Sequence, residues 1–232
     1  MNKSYKILAI IPARKGSKGI LSKNTKLISN KPLISWTIEA AKRSKYIDKI
    51  KISSDCLKVK EIANSYDINI ENLRPDHLST DSSSSDEVIL HELKDSKNFD
   101  IVCMLQPTSP LRDFEDIDLA FENFFKFKAK ALVSVYHNKH SPFWSFKLKN
   151  AFLESLFPEL DINKRRQDLP ETYMLNGAIY ISKVNHFKKN QSFLTNQTIA
   201  YIMSEDKSID IDNIDDFLRA EKKLSERLTS RF

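Results

Sequence analysis

Ile7-Leu8-Ala9-Ile10-Ile11-Pro12-Ala13-Arg14-Lys15-Gly16-Ser17-Lys18-Gly19 sets an unbroken apolar run directly ahead of a basic, glycine-bearing loop. A short β-branched run without polar alternation reads as a strand buried on both faces, the condition of a parallel sheet. Open α/β sheets collect ligands in the loops at the carboxyl ends of such strands, so residues 12–24 are the first place to look for a site. Working outward, strand-like runs at 50–53, 101–105 and 131–135 alternate with amphipathic segments at 32–44, 57–66 and 114–127. The spacing predicts an α/β fold: a mainly parallel sheet with helices on both faces and right-handed crossovers. The regularity breaks over 137–170, which reads as an excursion from the core, a hairpin arm. Strands at 178–181 and 199–203 return to the sheet. Residues 213–228 read as a closing helix, with Asp215 and Asp216 in its first turn against the positive end of the helix dipole.

The chain's 232 residues, 41% hydrophobic and 29% charged, suit one folded domain. The expectation is a single unit over 1–232, with 138–170 as a protruding subdomain. Nothing at the N-terminus reads as a secretory leader, no run approaches membrane-spanning length, and no long C-terminal extension suggests a second catalytic domain. Cys56 and Cys103 stand apart, without the spacing of a disulfide frame or a zinc site. Together these point to the reducing cytoplasm and away from membranes. The net charge of +6 comes from Lys and Arg interleaved with Asp and Glu, the pattern of a solvated surface rather than a nucleic-acid patch. A small anion such as a nucleoside triphosphate or an acidic sugar remains compatible with it.

Three glycines, where a chain of this length ordinarily holds about 16, imply that each is required. Gly16 and Gly19 allow close main-chain approach to a ligand, and Arg14, Lys18 and Lys23 add positive charge, which together make a triphosphate cradle. Neither GxxxxGK[ST] nor GxGxxG is present, and the same loop also reads as a basic surface turn. Asp210-Ile211-Asp212 would point two carboxylates to one side in an extended chain. That spacing fits a magnesium site completed by phosphates, though taken alone it fits surface acids ahead of a helix better. Ser82 to Ser85 read as a polar loop capping a helix from about Asp86, with Ser84 or Ser85 as N-cap. The five histidines are scattered and read as surface or structural. Trp36 reads as core, and Trp144, with Phe143 and Phe146, as interface.

The order of these segments resembles the CMP-sialic acid synthetases and their relatives acting on legionaminic or pseudaminic acid. The likeness is carried by Ile10 to Gly19 with Lys23-Asn24, and by Arg74-Pro75 with Leu78-Ser79-Thr80-Asp81. Further along it is carried by Leu105-Gln106-Pro107-Thr108-Ser109-Pro110-Leu111-Arg112, by Arg166-Gln167-Asp168-Leu169-Pro170 with Asn176-Gly177-Ala178-Ile179-Tyr180, and by Ser208-Ile209-Asp210-Ile211-Asp212. The resemblance implies a Rossmann-like nucleotidyltransferase fold and an enzyme that joins the CMP moiety of CTP to a nonulosonic acid, with Mg²⁺ as cofactor. It implies that Arg14, Lys18, Asp210 and Asp212 carry catalysis, and that Ser17, Lys23, Asn24, Arg74, Ser82 and Ser83 join Arg14 and Lys18 around the nucleotide. Gln106, Arg166, Gln167, Asn176 and Tyr180 are implied at the sugar, and Asp210 and Asp212 at the metal. It also implies a homodimer whose exchanged arm brings Arg166 and Gln167 to the partner's site, with Arg112 structural. Met174 and Leu175 depart from the arginine that many sialic acid enzymes carry two residues before Asn176, which suits a less hydroxylated, acylated sugar of the legionaminic type. The competing readings are an eight-carbon Kdo cytidylyltransferase and a non-catalytic phosphate- or nucleic-acid-binding α/β protein.

Overall fold

The computed structural model describes residues 5–16, 19–159 and 163–229. In chain order the elements are β1 (Ile7–Pro12), β2 (Leu27–Ile28), β3 (Lys31–Pro32), α1 (Leu33–Arg43), β4 (Lys49–Ser53), α2 (Leu57–Asn64), α3 (Ser85–Glu92) and β5 (Ile101–Met104). There follow α4 (Phe114–Lys126), β6 (Ala131–His137), β7 (Phe146–Lys149), β8 (Phe152–Ser155), β9 (Tyr173–Lys183), α5 (Val184–Asn190), β10 (Thr198–Ile202) and α6 (Ile214–Thr229).

Six strands form one sheet in the order β10-β6-β9-β5-β1-β4. β1 pairs parallel with β4 and β5, and β10 parallel with β6, whereas β9 runs antiparallel to both β5 and β6. The mainly parallel sheet is as expected; the reversed strand in its middle is a finding of the structure. β9 also begins earlier than the 178–181 run suggested, because Tyr173–Leu175 continue the pairing with β6 past an irregularity at Val133/Val135.

The period-two alternation of β1 sends Ile7, Ala9 and Ile11 to one layer and Leu8 and Ile10 to the other. The first layer is closed by Ile34 and Ile38 of α1, Val59 of α2, and Ile117, Phe121 and Phe124 of α4. The second is closed by Ile89 of α3 and Phe187 of α5. With both faces covered, β1 has no exposed side, which is why its run carries no polar alternation. A third cluster packs Phe217, Ala220 and Leu224 of α6 on Ile28, Leu33, Leu111 and Ile211, and so holds the segment ahead of α6 against the sheet.

Helix starts follow their caps. Ser84 accepts from the Glu87 amide and Glu87 answers to the Ser84 amide, starting α3, and Asp113 and Asp116 make the same reciprocal box on α4. The excursion contains the β7–β8 hairpin, which leaves Leu148, Phe152 and Leu153 largely exposed. Trp36 is half-buried, its ring nitrogen donating to the Ile28 carbonyl and its ring face beneath the Lys31 ammonium. Cys56 and Cys103 are free thiols. Among the described residues, no helix is long and apolar enough to cross a membrane.

Candidate active site

The sheet changes winding direction at β1, since the chain leaves β1 for β4 on one side and returns for β5 on the other. Such a switch point opens a crevice at the carboxyl ends of the two strands. A cleft of about 320 Å³ lies there, and it gathers the loop after β1, the start of α3, the loop after β5, and the segment ahead of α6.

The loop after β1 folds onto the acidic pair through its backbone. A Cβ on Gly19 would sit 1.9 Å from the Asp212 carbonyl oxygen, so only glycine permits this approach. From the far end of the loop, the Lys23 ammonium donates to the Ile211 carbonyl at 2.5 Å and stands 3.5 Å from Asp212 Oδ1. The Asn24 amide donates to the Arg14 carbonyl at 2.9 Å, closing the loop on itself. The Arg14 guanidinium pairs with Asp81 at 2.6 Å. Arg14, Gly16, Lys23 and Asn24 all line the cleft. Ser17 and Lys18 lie outside the described residues.

Asp210 and Asp212 both line the same cleft, as the i,i+2 spacing in an extended segment requires. The Ile211 amide donates to the Thr108 carbonyl at 2.9 Å, fixing the segment to the loop after β5. Asp210 Oδ1 is buried and has no hydrogen-bond partner. Burial raises the Asp210 carboxyl above the ordinary carboxylate value; the charges of Asp212 and Asp216 push the same way, while the Thr108 hydroxyl and Lys23 pull against it. A buried carboxylate oxygen without a partner is costly, and a cation placed there would remove the cost. No group of three or more metal-ligating side chains occurs among the described residues, so such a cation would need oxygens from a ligand. Below the pair, Gly177 has φ +71°, and a Cβ on it would meet Gln106 Oε1 at 2.6 Å and Asp210 Oδ2 at 3.0 Å.

Of the other predicted residues, Gln106, Arg74 and Ser83 line the cleft. The Arg74 head is largely committed to the fold: Nε donates to Ser53 Oγ at 3.0 Å, Nη2 to the Ser53 carbonyl, and burial lowers its pKa. Ser82 is not part of the lining; its hydroxyl lies 3.0 Å from that of Thr80. Asn176 is buried within the frame. Its Nδ2 donates to Ser208 Oγ at 2.9 Å, and its Oδ1 accepts from Ser134 Oγ at 2.6 Å and the Ala178 amide at 3.2 Å. Tyr180 lies on β9 opposite Met104, its phenol pushed up to about 12 by burial and by the charges of Asp210 and Asp86. Arg166 and Gln167 are exposed on a 3-10 turn outside the cleft lining. Arg112 is buried, donating to Thr37 Oγ1 at 2.8 Å and the Gln106 carbonyl at 3.3 Å, and burial pulls it down to about 10.

Sequence reasoning did not single out Ser85, Val88 and Thr108 as lining residues. Ser85 and Val88 follow from the helix start once Ser84 is the cap, because the first turn of α3 then faces the cleft. Nothing in the sequence links Thr108 to Asp210, a hundred residues away.

A family model described as Cytidylyltransferase matches residues 8–227. The N-acylneuraminate cytidylyltransferase of Escherichia coli O18:K1:H7 is 35% identical over 212 residues, covering 91% of this chain and 50% of that protein. The CMP-N,N'-diacetyllegionaminic acid synthase of Legionella pneumophila is 36% identical over 225 residues, covering 94% of this chain and 95% of its own. The pseudaminic acid cytidylyltransferase of Campylobacter jejuni is 32% identical over 215 residues, covering 91% and 93%. The chain thus spans about half the length of the E. coli relative and nearly all of the other two. Among solved structures, a CMP:2-keto-3-deoxy-manno-octonic acid synthetase complexed with CTP superposes with a TM-score of 0.73 at 14% identity, covering 96% of this chain and 99% of that one, a likeness of fold.

Proposed function

The chain belongs to the cytidylyltransferase family, and from that premise we propose that it transfers CMP from CTP to the anomeric hydroxyl of a nonulosonic acid, releasing pyrophosphate. The observation that carries the proposal is the buried, unpartnered Asp210 Oδ1 in the same cleft as the cations Lys23 and Arg14. Carboxylates beside a phosphate cradle would repel phosphates without a cation between them, and two carboxylates with phosphate oxygens and waters suit Mg²⁺. Asp210 and Asp212 would hold that ion, which when bound neutralises phosphate charge and acidifies the attacking hydroxyl.

The remaining roles fall to side chains and backbone. Arg14, Lys23 and the backbone around Gly16 and Gly19 face the triphosphate, with Ser17 and Lys18 assigned there by the family motif, and they offset the charge that grows on phosphate oxygens as pyrophosphate departs. Asn24 keeps the loop closed by holding the Arg14 carbonyl. Ser83, Ser85 and Val88 take the nucleoside, and Arg74 braces that wall from behind. Gln106, its carboxamide oxygen flanking Gly177 as Asp210 Oδ2 does, orients the sugar hydroxyl toward the α-phosphorus. Tyr180 and Asn176 support this floor from β9. The chain works as a homodimer in the cytoplasm: the exposed Leu148, Phe152 and Leu153 of the β7–β8 hairpin meet a second copy, and Arg166 and Gln167 reach the sugar bound by that copy. The sugar is of the legionaminic type, a reading supported by the apolar pair Met174 and Leu175, which stands half-exposed.

The test incubates the chain with CTP, Mg²⁺ and, in separate reactions, diacetyl-legionaminic, pseudaminic, N-acetylneuraminic and Kdo acids, with UTP and ATP as alternative donors, and identifies products by mass spectrometry. The expected result is a CMP-sugar from CTP and a nine-carbon acid, formed faster from diacetyl-legionaminate than from N-acetylneuraminate. Product only with Kdo, only with another nucleotide, or with none of the pairs would reject the proposal.

A further inference from the structure

Lys207 ends the 3-10 turn immediately ahead of Ser208-Ile209-Asp210-Ile211-Asp212. Its ammonium lies 2.7 Å from Asp113 Oδ2 and 3.0 Å from both oxygens of Asp116. The Asp116 side chain is only 7% exposed, so that side of the joint is sheltered from water and screening salt, while Lys207 and Asp113 are each 25% exposed. Its anchor is stiff, because Asp113 is the N-cap of α4 and its other oxygen accepts from the Asp116 amide. One residue earlier, Arg112 holds the Gln106 carbonyl, so the loop that carries Gln106 and Thr108 runs straight into the same anchor.

We infer that Lys207 is a positioning residue for the acidic pair, locking residues 208–212 to the start of α4 so that Asp210 and Asp212 keep their place opposite Gln106 and Thr108. The inference rests on the metal role proposed above. The segment is pinned at two further points: Ser208 Oγ accepts from Asn176 Nδ2 and donates to the Ser204 carbonyl, and the Ile211 amide donates to the Thr108 carbonyl. The Lys207 joint is the charged one. Without the ammonium, Asp113 and Asp116 would face each other unneutralised, and the joint would open toward the acidic pair. Partners that orient metal-binding side chains from behind commonly change metal affinity by about 10- to 100-fold.

The experiment measures Mn²⁺ uptake by electron paramagnetic resonance in the presence of CTP and without sugar, for the wild-type chain, Lys207→Met, Lys207→Arg and Asp113→Asn. CTP affinity is measured separately in EDTA. Asn caps a helix as well as Asp does, so Asp113→Asn removes the charge while keeping α4 started, and it decides the matter if Lys207→Met does not fold. The expected result is Mn²⁺ affinity at least about tenfold weaker in Lys207→Met and in Asp113→Asn, restored to within about threefold in Lys207→Arg, with metal-free CTP affinity unchanged. Mn²⁺ affinity unchanged in these variants, or metal and metal-free CTP affinity falling together, would overturn it. A wild-type chain that takes up no Mn²⁺ with CTP would instead overturn the metal reading itself, and the inference with it.

Discussion

Gly19→Ala tests the packing of the phosphate loop on the acidic pair. The new Cβ would lie 1.9 Å from the Asp212 carbonyl oxygen and 3.1 Å from its carbon, whereas real Cβ contacts stay at 3.0 Å or more. The obstacle is backbone, so no rotamer change relieves it. Loop and segment must part by about 1.1 Å, the gap between 1.9 Å and 3.0 Å. That movement would pull Lys23 from the Ile211 carbonyl. A misplacement of about 1 Å at a reacting centre costs on the order of 10²-fold in rate, so kcat/KM for CTP should fall by about that factor. Overpacking of this kind costs about 1–3 kcal/mol, and each kcal/mol lowers Tm by about 2–4 °C in a chain of this size. The variant therefore stays folded at 25 °C and loses activity out of proportion to stability. Gly16→Ala is the internal control, because among the described residues its Cβ would meet only Arg14 Nη1, at 3.8 Å, and Tm should hardly move. Pyrophosphate release from CTP with the accepted sugar, run beside calorimetric unfolding, reads both quantities. Gly19→Ala turning over within about threefold of wild type would refute the close approach as a functional constraint.

Other consequences are equally concrete. Burial raises the Asp210 carboxyl, so folding favours its protonated form; that contribution is full below the ordinary carboxylate pKa and is lost as pH rises through the raised value. Asp210→Asn should therefore unfold at an equal or higher temperature at neutral pH while losing at least about a hundredfold in turnover, and a variant that is both less stable and active would contradict this. Gly177→Ala forces a side chain into a left-handed backbone, worth about 1–2 kcal/mol of stability, and pushes on Gln106 Oε1. Its KM for the sugar should rise while CTP affinity holds; calorimetry and steady-state kinetics read the two effects. Leu148→Glu combined with Phe152→Glu charges two exposed residues of the β7–β8 hairpin. Light scattering should show a dimer become a monomer with unchanged circular dichroism, and a wild-type chain that is itself monomeric would reject the exchanged arm.

The strands and helices of the core were legible because local patterns decide them. The β1 run, the amphipathic 114–127 stretch and the Ser84 cap each carry their own signal within a few residues, whereas the Asp113 cap emerged only from the structure. The direction of β9 was not legible, since an apolar run looks the same whichever way it enters a sheet. The site was legible as separate motifs, and the scarcity of glycine pointed to Gly19 without revealing that Asp212 is what it accommodates. What stayed hidden were contacts across long stretches of chain: Thr108 against Asp210, and Lys207 on Asp113 and Asp116. Asn176, implied at the sugar by its motif, has its amide engaged within the frame by Ser134, Ser208 and Ala178, which only packing could reveal.

Anomalous diffraction from crystals of the chain with Mn²⁺ and CTP would test the cleft most directly. The predicted result is a manganese peak at coordinating distance from Asp210 and Asp212, with CTP phosphate oxygens sharing the ion and the triphosphate lying along Arg14 and Lys23. A nucleotide seated in this cleft with no metal at the acidic pair, or one bound anywhere else on the molecule, would contradict the catalytic role given to Asp210 and Asp212.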